Sequence, residues 1–246
     1  MPPTHAPETD YGIDAPAVMR NLFLVGIACL LAGLLLPPVL HLGPVALQTR
    51  PSFLWPAGFF TGEALLFLLY VKYGKFRHRD FMLGIHTWHG DEQVLDVGCG
   101  RGLLIAGAAK KLTSGHATGI DIWSTEDMGG NAETATQKNL QLEGIADHCT
   151  LVSLPAQKMP FADASFDVIV SNLCLHNIYD KPTRAQALDQ IVRVLKSGGV
   201  ALISDYKLTG EYADHFRNAG LNVTTQWGSF LTTFPPLRVV IARKPA

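Results

Sequence analysis

The sequence is poor in charged residues. Asp, Glu, Lys and Arg make up 17% of its 246 residues, and the formal net charge is -1 at pH 7. Soluble globular domains carry about 25% charged residues. Without an excess of basic residues the chain has no electrostatic footprint for nucleic acid, so we expect no nucleic-acid partner.

Cysteine is scarce as well. The four cysteines, Cys29, Cys99, Cys149 and Cys174, are scattered along the chain without paired spacing. This scatter argues against a disulfide framework and against a cysteine zinc site, and it is typical of a reducing compartment. We therefore predict a protein without a bound metal.

Apolar residues, in contrast, are abundant, at 48% of the chain. Residues 22–47 contain no charged side chain, and residues 53–71 contain only Glu63. Nineteen helical residues span about 28 Å, close to the hydrocarbon thickness of a bilayer. The two runs predict a transmembrane helical hairpin over residues 21–73, with a connection at residues 48–52 and the lipid bilayer as its partner.

Two other interpretations of these runs stay open. Residues 22–36 also fit the apolar part of a cleaved signal peptide. Both runs also fit buried helices of a soluble protein. Residues 1–20, which are rich in proline and polar side chains, are expected to form a disordered tail.

Basic residues predict the orientation of the hairpin. They follow the second apolar run at Lys72, Lys75, Arg77 and Arg79, whereas the short connection holds only Arg50. The positive-inside rule therefore predicts an integral membrane protein with both termini in the cytosol.

Residues 74–92 combine aromatic and basic side chains, which favours an amphipathic linker helix at the membrane surface. His86 and His89 are expected to pack at the domain entrance rather than to bind a metal. Glu63, costly in a bilayer if charged, is expected to be neutral or structural rather than in contact with a substrate.

The rest of the chain is organised around residues 94–102, VLDVGCGRG. Gln93–Val97 reads as a strand buried on both faces, and Gly98, Gly100 and Gly102 form a turn that leads into a helix over residues 103–112. The glycines leave room for a ligand to approach the backbone. Glycine turns of this kind also occur in dinucleotide-binding proteins, so the turn alone does not identify the ligand.

A second strand, over residues 117–120, ends in Asp121, 23 residues after Gly98. An acid at this offset commonly accepts hydrogen bonds from ribose hydroxyls. Further strands are predicted at residues 150–152, 166–171 and 200–204, and helices at residues 132–143, 183–195 and 211–219. Asn131 is a candidate N-cap for the first of these helices. The alternation predicts a doubly wound α/β sheet.

The final segments, residues 222–227 and 237–243, are joined by a loop without a helix, so they can pair antiparallel. Together with VLDVGCGRG, Asp121 and the sequence LKSGG at residues 195–199, this pattern resembles the class I S-adenosylmethionine (SAM) methyltransferases, and among them the quinone-biosynthesis branch. The resemblance covers residues 93–244. It implies a seven-stranded, mostly parallel sheet with a reversed last strand, and SAM as the cofactor.

The resemblance also implies a set of SAM contacts. The methionine part would lie at the glycine turn, the ribose at Asp121 and the adenine beside Ile122 and Trp123. The residues implied at the turn are Asp96, Gly98, Cys99, Gly100 and Gly102. Asp96 could instead satisfy only the amides of the turn, and Trp123 could serve only as a packing residue.

One expected contact is not present in the sequence. The family usually has an acid facing the adenine amino group a few residues before a Pro-Phe pair, and here Pro155 stands at that position. The backbone of Ala156 and the side chain of Gln157 are the substitutes that we expect.

Asn172 and His176 follow the strand after which the family places groups near the methyl group. His176 could accept a proton from the acceptor, or it could only pack or bind substrate. Asp205 and Tyr206 are weaker candidates for the same pocket. Residues 123–130 form a polar loop with a glycine pair, which could close over the cofactor.

The sequence therefore predicts a residue 93–246 methyltransferase domain that acts on a small-molecule acceptor, which its membrane anchor suggests is lipophilic. Two rival hypotheses remain. A nucleotide-dependent oxidoreductase would need a cleaner dinucleotide turn. A non-catalytic SAM-binding or scaffold protein would fit the substitution at Pro155.

Overall fold

The computed structural model describes residues 8–125 and 129–246. Part of the expected tail, residues 1–7, and the centre of the expected lid, residues 126–128, lie outside the described residues. The described chain folds into an N-terminal helical hairpin that is followed by an α/β unit.

The hairpin consists of helices α1 (Pro16–Leu35) and α2 (Thr49–Leu69). Both are long and apolar enough to cross a membrane by length and composition, a test that core helices and signal sequences also pass. The helices run antiparallel, and Gly26 and Gly33 of α1 lie against α2. Small residues at such a contact let two helix backbones approach closely.

The connection between these helices differs from the prediction. Strands β1 (Val39–Leu42) and β2 (Val45–Gln48) pair antiparallel and join the helices. The apolar run of residues 22–47 is therefore not one helix. Pro37 and Pro38 explain the difference, because proline has no backbone N–H and its ring clashes with a continuing helix.

The linker is also shorter than predicted. A π-helical turn, Tyr70–Gly74, continues α2 into helix α3 (Lys75–Leu83). Met82 and Leu83 of α3 are buried, and Leu83 packs beside Gly107 in the α/β unit. The predicted interfacial helix over residues 74–92 therefore ends early and packs against the protein itself.

The segment before α1 is packed rather than disordered where the structure describes it. Tyr11 is 6% exposed, and its hydroxyl donates to Glu143 Oε1 over 2.6 Å. Lys75 Nζ donates to the carbonyl oxygens of Tyr11 and Gly12 over 2.9 and 2.6 Å. Asp10 accepts a hydrogen bond from Arg101 over 2.8 Å. These contacts tie the segment to the α/β unit, and with α1 beginning at Pro16 they correct the predicted disorder for residues 8–20.

The α/β unit contains one seven-stranded sheet, as predicted. Its strands are β3 (Gln93–Val97), β4 (His116–Asp121), β5 (Cys149–Ser153), β6 (Phe166–Asn172), β7 (Leu195–Asp205), β8 (Asn222–Trp227) and β9 (Arg238–Arg243). The order across the sheet is β5-β4-β3-β6-β7-β9-β8. Neighbours from β5 to β7 pair parallel, and β9 runs antiparallel to both β7 and β8.

Helices cover both faces of this sheet. They are α4 (Leu103–Ala109), α5 (Glu133–Leu142), α6 (Lys181–Val194) and α7 (Thr209–Asn218). Buried side chains of the strands alternate between two apolar clusters, with Val94 in one and Leu95 in the other. Asp180 caps α6 by accepting from the Thr183 N–H over 2.9 Å. Asn131, however, does not cap α5, because its side-chain amide donates to Asp121 and to the Ser124 carbonyl.

Candidate active site

A cavity of about 670 Å³ lies beyond the carboxyl ends of β3, β4 and β6. Open α/β sheets bind ligands in this place, where the strand order reverses. Three groups of residues form its wall: the glycine turn with Asp121, the segments that follow β5 and β6, and a third group from the helical hairpin and the loop before β9. The strand alternation had already predicted the first two groups.

The glycine turn brings its backbone to the cavity at Gly98 and Gly100. Both have positive φ angles, +74° and +50°, in the region that favours glycine. A Cβ on Gly98 would lie 2.1 Å from Cys174 Sγ, so only glycine fits there. The Cys99 side chain instead points to Gly119, and Gly102 lies against Thr136. Neither is among the cavity-lining residues, so their direct contact with the cofactor stays a prediction that the cavity wall does not support.

The Asp121 side chain links the glycine turn after β3 to the loop after β4. Its Oδ2 accepts from the Gly100 N–H over 2.8 Å, and its Oδ1 accepts from the Trp123 N–H over 2.6 Å. The side-chain amide of Asn131 donates to Oδ1 over 3.3 Å. The carboxylate therefore stands at the cavity wall in a fixed orientation, with one lone pair of Oδ2 left for a further donor.

Asp96 lies behind the turn and not on the cavity wall. It is 1% exposed, and its Oδ2 accepts from the Ile105 N–H over 2.8 Å. Burial raises the pKa of Asp96 to about 8, the hydrogen bond from Ile105 opposes this rise, and the charge of Asp121 adds to it. The geometry thus matches the alternative in which Asp96 satisfies an amide next to the turn.

The segment after β5 forms the wall next to Asp121, whose backbone carbonyl accepts from the Leu154 N–H over 3.0 Å. Leu154, Pro155, Ala156 and Gln157 line the cavity there together with Ile122, which is 66% exposed. A flat, partly apolar ligand can be held between such side chains.

Trp123 is not among these lining residues. Its indole N–H donates to Ser153 Oγ over 2.7 Å, and its ring packs against the apolar core cluster. The structure therefore favours the packing role for Trp123 over the predicted contact with adenine.

His176 lines the cavity next to a buried acid. Its Nδ1 lies 2.9 Å from Asp205 Oδ1 and 3.1 Å from Asp205 Oδ2. Asp205 is 1% exposed and also accepts from the Tyr206 N–H over 2.8 Å. The Tyr206 ring contacts the imidazole edge to face, with 4.8 Å between centroids. Asp205 was only a weak candidate in the sequence, because it is 29 positions away from His176 and no local pattern reveals their contact.

The third group of lining residues was not predicted. It comes from the segment before α1, from both hairpin helices and from the loop before β9, and it comprises Asp14, Ala15, Val18, Phe67, Tyr70, Phe234 and Pro235. Most of these side chains are apolar. The only sequence signal was the nearness of an apolar hairpin to the domain, because no local pattern relates positions so far apart in the chain.

Comparison with known proteins gives the class of this domain. A family model described as a methyltransferase domain matches residues 95–203. Sterol 4-C-methyltransferase strm-1 of Caenorhabditis elegans is 37% identical over 121 residues, which are 48% of this chain and 32% of that protein. The ubiquinone/menaquinone biosynthesis C-methyltransferase UbiE of Vibrio campbellii is 33% identical over 116 residues, 47% of this chain and 41% of that protein.

The fold agrees with these matches. Phosphoethanolamine N-methyltransferase 2 of Haemonchus contortus, solved in complex with SAM, superposes with a TM-score of 0.55 at 18% identity, over 69% of this chain and 53% of that chain. The α/β fold of this chain is thus similar to that of a methyltransferase solved with SAM. More particularly, residues 95–203 match a methyltransferase domain, and the chain has SAM-dependent methyltransferase relatives, among them a quinone methyltransferase. This chain spans between about a third and two fifths of these two curated relatives.

Proposed function

We propose that the protein transfers the methyl group of SAM to a nucleophilic atom of a small lipophilic acceptor at a membrane surface. One observation carries this proposal. A single cavity is bounded by Asp121 and the glycine turn, by His176, and by the apolar ends of α1 and α2. The methyl donor, a side chain that can take a proton and an apolar methyl acceptor can therefore meet in one cavity.

The residues around the glycine turn fit SAM. The methionine part would lie along the backbone at Gly98 and Gly100, which has no side chains there to obstruct it. Asp121 would accept from a ribose hydroxyl with the remaining lone pair of Oδ2. Ile122 and Ala156 would contact the adenine, and the Gln157 amide oxygen would accept from the adenine amino group in place of the family's acid.

His176 is the residue that would take the proton of the acceptor. When bound, SAM would supply an electrophilic methyl group, whose carbon bonds to the acceptor atom as its bond to sulfur breaks, with S-adenosylhomocysteine as the leaving group. Hydrogen bonding of Nδ1 to Asp205 leaves Nε2 as the basic nitrogen and stabilises the imidazolium once the proton has arrived. Asn172, on the same wall, would orient the acceptor.

The membrane part of the proposal rests on the surfaces of the hairpin. Leu31, Leu34 and Leu35 of α1 are 50–78% exposed, and Trp55 and Phe59 of α2 are 80% and 60% exposed. Large apolar side chains exposed along both helices would be costly in water, and they suit a lipid environment. Only 11% of the apolar stretch of α1 is buried within the chain, which disfavours the interpretation of α1 as a core helix.

The acceptor class follows from the same surfaces and from the relatives. The two relatives described above are named as methyltransferases of sterols and of ubiquinone or menaquinone biosynthesis, and these are lipophilic molecules. An anchor places the cavity of this chain next to the bilayer in which such molecules dissolve. The orientation is that predicted from Lys72 to Arg79, with the α/β unit in the cytosol.

Full-length protein in phospholipid nanodiscs tests the activity. Incubation with methyl-labelled SAM and a lipid extract of membranes is expected to label extractable lipids, and NADH is expected not to bind. His176→Ala should abolish labelling while S-adenosylhomocysteine still binds in calorimetry. Cofactor binding without labelling of any lipid or water-soluble extract would favour the non-catalytic alternative.

The orientation has its own test. His41, exposed at the hairpin turn, and Lys181, exposed at the start of α6, are each replaced by cysteine in intact cells. A membrane-impermeant thiol reagent is expected to label the His41→Cys variant only. Labelling of both, or of the Lys181→Cys variant alone, would refute the proposed topology.

A further inference from the structure

The cavity contains a polar cluster of which the methyl-transfer proposal uses only Asn172. It is formed by Asp14 before α1, Tyr70 at the start of the π-helical turn after α2 and Asn172 at the end of β6, and all three line the cavity. These residues are 56 and 102 positions apart in the sequence, so the cluster exists only where the hairpin meets the sheet.

Two atoms of this cluster lack a hydrogen-bond partner among the described residues. They are Asp14 Oδ2 and Asn172 Oδ1, and both are buried. The Asn172 side chain and the Tyr70 ring line the same part of the cavity wall. A buried oxygen without a partner costs free energy, which a ligand with a hydrogen-bond donor would recover.

The charge of the cluster selects the kind of donor. Lys75 Nζ lies 3.9 Å from Asp14 Oδ2 and is 5% exposed, so Asp14 already has a buried counter-ion. Burial raises the pKa of Asp14, and the charge of Lys75 opposes this rise. A carboxyl whose pKa is raised has less need of a second cation. A neutral hydroxyl suits the two oxygens better than an ammonium group.

The surroundings of the cluster are apolar and continue to the hairpin surface. Phe67 and Phe234 pack edge to face, with 6.4 Å between centroids, beside Tyr70. Val18, on the first turns of α1, lines the cavity and is also 51% exposed. Beyond it, Leu24 and Leu69 are more than half exposed on the two helices. An apolar chain can therefore run from the cluster to the surface that would face lipid.

We propose that the hairpin and the sheet together form the acceptor site, which binds an amphiphile with its hydroxyl head at Asp14 and Asn172 and its apolar tail along Val18 towards the bilayer. This inference rests on the proposed function and specifies its substrate class. It also gives the hairpin a role in substrate binding besides anchoring.

Three probes separate the parts of this proposal. They are 4-dodecylphenol, its methyl ether, which has no donor, and phenol, which has no long tail. Their binding is measured by calorimetry on full-length protein in phosphatidylcholine nanodiscs with S-adenosylhomocysteine bound, with empty nanodiscs as the background. We expect dodecylphenol to bind at least ten-fold more tightly than either other probe. Equal binding of the methyl ether would overturn the assignment of the head site.

Matched variants locate the site. Tyr70→Phe should weaken dodecylphenol binding about five-fold or more, whereas Tyr73→Phe, one turn away and 64% exposed, should not. Val18→Asn should weaken it, whereas Val25→Asn, on the same helix and 41% exposed, should not. Equal losses within either pair would refute the site.

The cofactor assay keeps the two proposals apart. Binding of S-adenosylhomocysteine should be unchanged in all four variants. If the unmutated protein does not bind S-adenosylhomocysteine, the proposed function is rejected. If it binds S-adenosylhomocysteine but does not prefer dodecylphenol over the other two probes, only the acceptor site is rejected.

Discussion

His176 Nδ1 and Asp205 Oδ1 lie 2.9 Å apart at the wall of the cavity, and Asp205 is 1% exposed. A buried carboxylate in this position fixes one tautomer of the imidazole and leaves its second nitrogen for proton transfer. The contact joins the 3-10 turn Leu175–Asn177, which follows β6, to the end of β7. It is therefore a product of the parallel alignment of two neighbouring strands.

This pair gives the first prediction. His176→Ala should lower kcat about 100-fold or more, because positioned proton transfer contributes about 10²–10⁴-fold. Asp205→Asn should lower kcat about ten-fold or more, since an amide donor facing Nδ1 favours the wrong tautomer. Steady-state methyl transfer and its pH profile measure both effects. His215→Ala is the matched control, because His215 pairs with Asp189 over 2.8 Å on the surface, and it should be silent. An equal loss in that control would assign the effect to general destabilisation.

The second prediction concerns the cofactor. Asp121→Asn should weaken S-adenosylhomocysteine binding about ten- to hundred-fold, because hydrogen bonds to a charged acceptor contribute about 1.5–3 kcal/mol. Calorimetry measures the change. Asp163→Asn removes a carboxylate that is 78% exposed and outside the cavity, so its affinity should match that of the unmutated protein. Undiminished binding in the Asp121 variant would remove the ribose assignment.

The third prediction concerns pH. The pKa of Asp96 is about 8 in the folded chain and about 3.9 in an unfolded one. Between these values the folded state retains a proton that the unfolded state has lost, so this carboxyl lowers stability as pH rises through the window. Asp96→Asn does not titrate, and its amide oxygen can still accept from Ile105. The Tm advantage of the variant over the unmutated protein should therefore grow from pH 5 to pH 8 and then level off. A Tm difference that is constant with pH would contradict the raised pKa.

The fourth prediction tests how the hairpin packs. A Cβ on Gly26 would lie 2.5 Å from Thr61 Oγ1 and 3.2 Å from the Thr61 backbone nitrogen. Gly26→Leu should separate α1 from α2 and lower stability by about 1–3 kcal/mol, as overpacking does. A Cβ on Gly58 of α2 meets nothing within 4 Å among the described residues, so Gly58→Leu is the control. Thermal unfolding in detergent should separate the two variants, and equal Tm values would contradict this packing.

Much of the site could be predicted because it lies at strand ends. A parallel sheet brings the carboxyl ends of its strands to one edge, so Gly98, Asp121 and Asn172 meet whatever the details of the loops. Side-chain direction could not be predicted in the same way. Cys99 and Trp123 lie within the correct segments, yet neither lines the cavity. Cys99 is buried beside Gly119, and the Trp123 indole donates to Ser153.

The sequence by itself determined the alternation of strands and helices, the glycine turn with its acid, and the two apolar runs, since each is written in local periodicity and composition. Only the tertiary structure decided that Asp205 supports His176 and that Asp14 and Tyr70 line the cavity. The reason is physical. Contacts between residues far apart in the chain depend on how whole elements pack, and no local pattern encodes that packing.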